Sequence, residues 1–289
     1  MKIGFIGFGE AARAFASSIA VHDATVEFAA YDVLLEGGDA ACAEAMLAHG
    51  VVALPASGLA GCDWIVSAVT ADQSLAAAEA ACAWLRPGQV YFDINSVSPQ
   101  RKRDSAAVVG ATGATYLDMA VMAPVHPKGH RTPVLVAGPT DDATTERLVF
   151  LDFRFEVVAA EPGAATAIKM VRSLFVKGLE AITVEALLAA QASGCLDYVL
   201  KSVGGSYPGL GWPDFAAYQF ERTLRHGTRR AAEMRESAAT MRTLGLNAAL
   251  AAAIADTQAE MGKAGRGVSP AERIEETIAR VVERRLSSR

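Results

Sequence analysis

Three small residues near the start of the chain have the spacing of a phosphate-binding turn. Gly7, Gly9 and Ala12 form a G-x-G-x-x-A pattern directly after an apolar segment. In this pattern the first glycine permits a tight turn, the second lets the backbone approach a pyrophosphate, and the small third residue lets the next helix pack closely. The N-terminal N–H groups of that helix then face the phosphates. The pattern predicts a dinucleotide site, to which Glu10 and Ala11 also belong.

Asp32 ends the next predicted strand, twenty residues after Ala12. A carboxylate at this place can accept hydrogen bonds from the ribose hydroxyls of a dinucleotide. It would repel a 2′-phosphate, and no Arg or Lys occurs in residues 33–36. We therefore expect NAD in preference to NADP. The alternative interpretation is a glycine turn in an α/β domain that binds no nucleotide.

Two further strand ends carry groups that could hold the nicotinamide half of the cofactor. Such groups belong at the carboxyl edge of the sheet, where turns that follow the strands meet the ligand. The candidates are Val69, Thr70, Asn95 and Ser96. The alternative for these two segments is helix capping, for which Asp72 and Ser98 are well placed.

A cationic stripe runs along an otherwise apolar predicted helix. Its members are Lys169, Arg172, Ser173 and Lys177, at positions i, i+3, i+4 and i+8. Because the other faces are apolar, the helix is expected to be buried, and buried cations need anionic partners such as a substrate carboxylate. We assign Lys169, Arg172 and Ser173 to catalysis, and Arg172 and Lys177 to substrate binding. A solvated charged face is the alternative.

Two other basic segments could pair with a carboxylate or phosphate. One is residues 126–131, which supplies His126 and Lys128, and the other is the predicted helix that carries His226. The alternative for each is a solvated surface. The sequence contains no grouping with the spacing of metal ligands and no nucleophile motif of the G-x-S-x-G type, so we expect no metal.

The composition argues against proteins that bind nucleic acid or anionic membranes. The 289 residues carry 27 Lys and Arg against 32 Asp and Glu, so the chain has no excess of positive charge for such a partner. The four cysteines lack paired or metal spacing and indicate a reducing compartment. No signal peptide or membrane-spanning run is recognised. We expect a cytoplasmic protein.

The first half of the chain alternates strand and helix patterns. Strands are predicted at 2–6, 26–31, 64–69, 90–94, 115–120, 133–137 and 153–158, with helices at 11–20, 72–85 and 99–109. Such alternation predicts an α/β Rossmann domain with a doubly wound, mostly parallel sheet over residues 1–161.

The second half, residues 162–289, is predicted to be all helical. It begins with one long helix over 162–193 and is broken at 204–213. A capping box at Ser269-Pro270-Ala271-Glu272 starts a last helix. The apolar stripe of that helix consists of Ile274, Ile278, Val281, Val282 and Leu286.

These features together resemble the 6-phosphogluconate dehydrogenase and β-hydroxyacid dehydrogenase superfamily over nearly the whole chain. Residues 95–99, Asn-Ser-Val-Ser-Pro, are similar to its strand-end S-T-x-S-P, and Gly163 with Lys169 matches its G-x-G-x-x-x-K segment. The resemblance implies a Rossmann domain and an all-α domain joined by a long helix. It also implies that Lys169 is the general acid/base, which takes the hydroxyl proton as hydride leaves the substrate for NAD.

The chain departs from the family at the substrate. Where the family has Ser-Gly-Gly after Asp-x-x-Val, this chain has Met122-Ala123-Pro124 after Asp118-Met119-Ala120-Val121. Met122 and Ala123 therefore become candidate substrate contacts. The carboxylic acid that decarboxylating members use seven residues after the lysine is replaced by Val176. The chain resembles a bacterial branch with a distinct C-terminal domain more than the phosphogluconate enzymes themselves.

The sequence thus predicts an NAD-dependent dehydrogenase that oxidises a secondary alcohol of a small hydroxy acid or sugar acid, an anionic or polyhydroxy substrate. A reductase of an aldehyde, ketone or imine that consumes NAD(P)H is one alternative. A catalytically silent NAD-binding protein is another. We also expect a homodimer formed through the long helix and the C-terminal helix, with a self-contained monomer as the alternative.

Overall fold

The computed structural model describes residues 1–268 and 273–287. The chain divides into two compact units, Met1–Lys169 and Met170–Arg289. Sequence patterns placed the domain boundary between residues 161 and 162, whereas this division falls inside a long helix. The predicted capping box at residues 269–272 lies outside the described residues.

The first unit is built on an eight-stranded sheet with the order β3-β2-β1-β4-β5-β6-β7-β8. All neighbouring strands are parallel except β6 and β7. This confirms the predicted, mostly parallel α/β sheet and adds β3, which has only two residues and too little pattern to predict. The strands are β1 (Lys2–Ile6), β2 (Glu27–Tyr31), β3 (Val52–Ala53), β4 (Trp64–Ser67), β5 (Val90–Asp93), β6 (Thr115–Val121), β7 (Val134–Ala137) and β8 (Phe155–Ala159).

Helices cover both faces of the sheet. Successive side chains of each buried strand point to opposite faces, so each face carries apolar side chains that need a covering layer. Phe92 of β5 belongs to one apolar core together with Phe15, and its neighbour Tyr91 belongs to a second core together with Val109. The predicted helix at 72–85 is shorter than expected, since a 3₁₀ turn precedes it. The helices of this unit are α1 (Glu10–His22), α2 (Val33–Glu36), α3 (Ala40–Ala48), α4 (Ser74–Ala81), α5 (Pro99–Gly110) and α6 (Asp142–Phe150).

The second unit is helical. Its first helix, α7, starts in the first unit and continues into the second, close to the bounds predicted for the long helix. No helix in the described part of the chain has the length and apolar character needed to cross a membrane. The helices are α7 (Ala164–Ala192), α8 (Leu196–Ser206), α9 (Asp214–Thr243), α10 (Ala249–Ala264) and α11 (Ile274–Ser287).

The apolar stripe of α11 packs inside the helical unit, which corrects one expectation. Ile274, Ile278 and Val281 are buried in the core of this unit, and Ile278 is 0 % exposed. Leu286, in contrast, is 60 % exposed. The buried stripe is therefore already covered within one chain and is not available as a dimer contact. A charge at Ile278 would disrupt this core and destabilise the single chain.

The start of α7 is held by a carboxylate on the sheet. The Oδ2 atom of Asp118, in β6, accepts hydrogen bonds from the backbone N–H groups of Gly163, at 3.1 Å, and Thr166, at 2.9 Å. The Thr166 hydroxyl donates to the Oδ1 atom at 2.7 Å. The first turn of a helix leaves N–H groups without intrahelical partners, and a negative charge there is favourable. Asp118 thus fixes the position from which α7 begins.

Asp118 belongs to a buried ionic cluster centred on Lys102, which lies on α5 and is 0 % exposed. The Lys102 Nζ lies 2.9 Å from Asp93 Oδ1 and 3.4 Å from Asp118 Oδ1, and it donates to the Asp93 carbonyl oxygen at 2.6 Å. The Tyr116 hydroxyl donates to Asp93 Oδ2 at 2.8 Å. Burial and the neighbouring Asp93 raise the pKa of Tyr116 well above its ordinary value, so this hydroxyl remains a donor.

Replacing the buried cation should strongly destabilise the first unit. In Lys102→Met the two carboxylates of Asp93 and Asp118 lose their shared partner, and leaving such charges uncompensated costs about 3–5 kcal/mol. Chemical denaturation at neutral pH measures the free energy of unfolding. Arg101→Met, the same change at the adjacent and less buried position of α5, is the control and should cost less than about 1 kcal/mol. Equal losses in the two variants would contradict this role of Lys102.

Candidate active site

The glycine turn after β1 has the conformation and the free space that a pyrophosphate needs. Gly7 has φ +83°, and a Cβ there would lie 2.6 Å from the Ala68 carbonyl oxygen. Gly9 is exposed, and a Cβ there would meet nothing within 4 Å. No side chain in the described residues caps α1 at Gly9. The N–H groups of its first turn, in Glu10, Ala11 and Ala12, are therefore available to a phosphate.

Asp32 lies at the end of β2 and is tied to this turn. Its Oδ2 atom accepts a hydrogen bond from the backbone N–H of Phe8 at 2.8 Å. Its Oδ1 atom accepts one from the N–H of Leu34 at 3.1 Å. Each carboxylate oxygen retains further acceptor capacity, so the side chain can also accept from ribose hydroxyls.

The structure brings four of the predicted residues together at the carboxyl ends of β4 and β5. Asn95 Oδ1 accepts from the backbone N–H of Val69 at 2.8 Å, and its Nδ2 donates to Ser67 Oγ at 2.9 Å. The Lys169 Nζ donates to Ser96 Oγ at 2.6 Å. Asn95 is buried, whereas Lys169 and Ser96 are partly exposed. The arrangement presents a lysine amine and a serine hydroxyl at the edge where a cofactor would meet a substrate.

The other members of the cationic stripe belong to the helical unit. Arg172 is exposed and Ser173 is buried. Lys177 is buried, and its Nζ lies 2.6 Å from Glu233 Oε2, so its anionic partner is a residue of the protein. Burial lowers the pKa of Lys177, although Glu233 opposes that shift. Their assigned roles in catalysis and substrate binding stay predictions.

His226 lies on α9 beside several arginines. It is partly buried, and burial followed by the charges of Arg222 and Arg229 lowers its pKa. Arg229 pairs with Glu233 at 2.6 Å, and Arg230 pairs with the buried Glu180. The basic segment on this helix is thus largely neutralised within its own unit. A role of His226 in substrate binding remains a prediction.

The end of β6 and the segment after it carry four of the predicted substrate contacts: Met122, Ala123, His126 and Lys128. Met122 continues the pairing of β6 with β7, since its backbone N–H donates to the Pro133 carbonyl oxygen at 2.9 Å. Ala123 is exposed. His126 and Lys128 follow along α1 and line a cleft whose lining includes neither Lys169 nor Ser96. Their contact with a substrate stays a prediction. The role of Thr70, which is exposed, in holding the nicotinamide half of the cofactor also stays a prediction.

Sequence reasoning missed the cluster that supports the site. Lys102 stands within Arg101-Lys102-Arg103, which reads as a solvated charge run. A signal was nevertheless present, because Lys102 shares a face of the helix with Ser105 and Val109, all of which are buried. A lysine on the sheet-facing side of an amphipathic helix needs an anionic partner, and two are close by: Asp93 ends β5, and Asp118 lies opposite it in β6. In the described residues no group of His, Cys, Asp or Glu could hold a metal ion.

Comparison with known proteins agrees with this fold. A family model for the NAD binding domain of 6-phosphogluconate dehydrogenase matches residues 2–153, and one for a domain of unknown function, DUF1932, matches residues 190–261. A conserved hypothetical protein from Sinorhizobium meliloti 1021 is 36% identical, with a TM-score of 0.78 over 98% of this chain and 96% of that one.

Two more distant proteins are also similar. The 3-hydroxyisobutyrate dehydrogenase of Mycobacterium tuberculosis, solved with L-serine, has a TM-score of 0.71 and 17% identity over 97% of both chains. At that identity the likeness concerns the fold alone. An uncharacterised 28.5 kDa protein of Methanothermus fervidus is 26% identical over 139 residues, 48% of this chain and 52% of that protein. The match thus spans about half the length of this curated relative.

These matches confirm the resemblance drawn from the glycine turn and the Gly163–Lys169 segment. They cover both the sheet unit and part of the helical unit. The first unit is an NAD(P)-binding domain of the dehydrogenase type. The chain therefore belongs to the family that is defined by the NAD-binding domain of 6-phosphogluconate dehydrogenase.

Proposed function

We propose that the protein is an NAD-dependent dehydrogenase that oxidises the secondary alcohol of a small hydroxy acid or sugar acid, with Lys169 as general acid/base. The observation that carries the proposal is the 2.6 Å hydrogen bond between Lys169 Nζ and Ser96 Oγ at the end of β5. It places a titratable amine beside a strand end that, in this fold, faces the reactive half of the cofactor.

The residues present fit a dinucleotide. Open space at Gly9, free N–H groups at the start of α1 and the carboxylate of Asp32 would hold its pyrophosphate and a ribose. Asn95 and Ser96 would orient the nicotinamide half. A bound nicotinamide dinucleotide supplies the acceptor for the hydride that leaves the substrate carbon.

Lys169 would act on the substrate oxygen. In its neutral form the amine takes the hydroxyl proton as the carbon–oxygen double bond forms, and Ser96 holds the nitrogen in place. The cap that Asp118 provides to α7 determines where this amine lies, because Lys169 stands in the second turn of that helix. A residue of the sheet, Asp118, thus determines the position of the candidate base.

An acidic substrate is favoured by one observation. Arg172 stands three residues after Lys169 on α7 and is exposed, so its guanidinium is available to a carboxylate. A reductase would use the same proton-transfer residue in the opposite direction. A panel of hydroxy and sugar acids with NAD, and of the matching carbonyl compounds with NADH, tests both directions by NADH absorbance.

Lys169→Ala should lower kcat by about 10²- to 10⁴-fold, because it removes the group assigned to proton transfer. Its NAD affinity, measured by calorimetry, should stay within about twofold, since the lysine is not assigned to dinucleotide binding. Lys201→Ala, at an exposed position of α8, is the matched control and should keep full activity. Activity of Lys169→Ala close to that of the control would refute the assignment.

The cofactor preference should follow Asp32. NAD should bind at least about tenfold more tightly than NADP, a difference of about 1.4 kcal/mol, because the carboxylate would meet the 2′-phosphate without a nearby cation. Asp32→Ser with Val33→Arg should move the preference toward NADP. Calorimetry with both dinucleotides measures the two affinities. The single change Val33→Ala is a control that shows the effect of losing the valine without gaining an arginine. Equal affinities in the unaltered protein would overturn the preference.

We also propose that the protein is a homodimer, with α7 instead of α11 as the apolar contact. Val171, Phe175 and Ile182 lie on one face of α7 and are exposed, and Phe175 is 73 % exposed. Large apolar side chains exposed in a row on one helix are typical of an interface between chains. A second copy could cover this face on both chains through a two-fold axis.

Light scattering at micromolar concentration should give a mass of about twice the 30.2 kDa of the chain. Phe175→Glu should reduce the mass to that of one chain, because a buried unpaired carboxylate at the contact is unfavourable. Val149→Glu places the same charge at an exposed apolar residue of α6 and should leave the mass unchanged. A monomer in the unaltered protein contradicts the proposal, as does a Phe175→Glu variant that remains dimeric.

A further inference from the structure

A cleft of about 820 Å³ runs along the outer face of α1. One wall is formed by the loop of residues 126–131, and His49, at the end of α3, also lines it. The part of α1 that lines the cleft extends from its first residue, Glu10, to its last, His22. Four of the five histidines of the chain line this cleft, namely His22, His49, His126 and His130.

Three of these histidines build the walls. The ring nitrogens of His130 lie 2.8 Å from Ser18 Oγ and 2.8 Å from the Leu151 carbonyl oxygen. His49 Nδ1 lies 2.6 Å from the hydroxyl of Ser17. His22 Nε2 lies 2.9 Å from the Phe150 carbonyl oxygen. These rings are held by the protein, and burial lowers the pKa of His130, which favours its neutral form.

The loop that carries Lys128 is fixed against α1. A Cβ at Gly129 would lie 2.1 Å from Ser18 Oγ and 2.9 Å from the Ala14 carbonyl oxygen, so only glycine fits. The backbone N–H of His130 donates to Ser18 Oγ at 2.9 Å. The position of the loop relative to α1 is therefore determined by close packing, and the cleft is formed before any ligand arrives.

Arg13 presents a guanidinium that is already ordered. Its Nε donates to the Phe8 carbonyl oxygen at 2.9 Å, and its guanidinium carbon lies 5.8 Å from the centre of the Phe8 ring. Its two terminal nitrogens have no hydrogen bond or ion pair with any residue that the structure describes. A guanidinium held in this way loses little entropy when it binds an anion, and it can do so with two parallel hydrogen bonds.

The cleft is positively charged although the whole chain has a net charge of −5. Lys128 and His126 are exposed, and their side chains have no ionic or hydrogen-bonding partner within the described residues. Arg131 is neutralised by Asp152 at 2.8 Å. Glu10 is the carboxylate on the lining, at the end of the cleft where α1 begins. Arg13 and Lys128 thus leave an excess of positive charge.

We propose that this cleft binds a multiply charged oxyanion, such as a phosphate ester or an oligophosphate, through Arg13 and Lys128, with His126 as a further donor. Arg13 and Lys128 form no ion pair with a residue that the structure describes, and two such cations on a concave surface match a ligand with at least two negative charges. Lys169, Ser96 and Asp32 do not line the cleft. Glu10, at the start of α1, belongs both to its lining and to the predicted dinucleotide site.

Calorimetric titration of the full-length protein with inorganic tripolyphosphate, in the presence of saturating NAD, tests the proposal. We expect one binding site per chain and an affinity that falls as salt is added. In Arg13→Gln/Lys128→Gln the affinity should fall at least about tenfold. Arg147→Gln/Arg154→Gln removes two exposed cations of the same unit that do not line the cleft, and its affinity should stay within about twofold of the unaltered protein.

Three outcomes would overturn the proposal. They are absence of binding to the unaltered protein, equal losses in the two double variants, and binding that NAD abolishes, since tripolyphosphate would then occupy the pyrophosphate site. Thermal unfolding of each variant shows whether it is folded. If tripolyphosphate binds, titration with a sugar phosphate distinguishes a phosphate-ester site from one that requires linked phosphates. The measurement needs no turnover, so its result does not depend on the proposed dehydrogenase activity.

Discussion

The carboxylate of Asp118 connects the sheet to the helix that carries the candidate base. It replaces the missing intrahelical partners of two N–H groups at the start of α7, and it lies beside the Lys102 ammonium that also neutralises Asp93. Each member of this cluster is buried and would be unfavourable alone. Together they fix three elements, β5, β6 and α7, at the edge of the sheet where Lys169 and Ser96 meet.

This arrangement holds the amine of Lys169, the candidate base, in a defined position although it is carried by a helix. A lysine side chain is long and flexible, so its amine is well placed only if the helix start and the hydrogen-bond partner are both fixed. The Asp118 cap fixes the start of the helix. Ser96, which is next to the buried Asn95, is the fixed hydrogen-bond partner of the amine. The proposed proton transfer would therefore depend on the buried polar contacts of Asp118 and Asn95.

Sequence patterns were sufficient for the sheet, the glycine turn and the long helix. The reason is that periodic burial and glycine spacing are local properties that the chain carries in order. They failed where the partner is distant in sequence. Nothing local marks the buried partners of Lys102, the anionic partner of Lys177 is Glu233, 56 residues away in the chain, and the α11 stripe looked available although it is buried. These three outcomes depend on tertiary pairing, which no short segment reveals.

The two amide contacts of Asp32 constrain how cofactor specificity could change during evolution. The residue that would discriminate between dinucleotides also accepts hydrogen bonds from the backbone of the glycine turn and from the start of α2. A lineage that exchanges it for a side chain without an acceptor oxygen loses the partner of two N–H groups as well as a charge. Selectivity and the order of the turn are therefore inherited together, and a switch requires a compensating acceptor nearby.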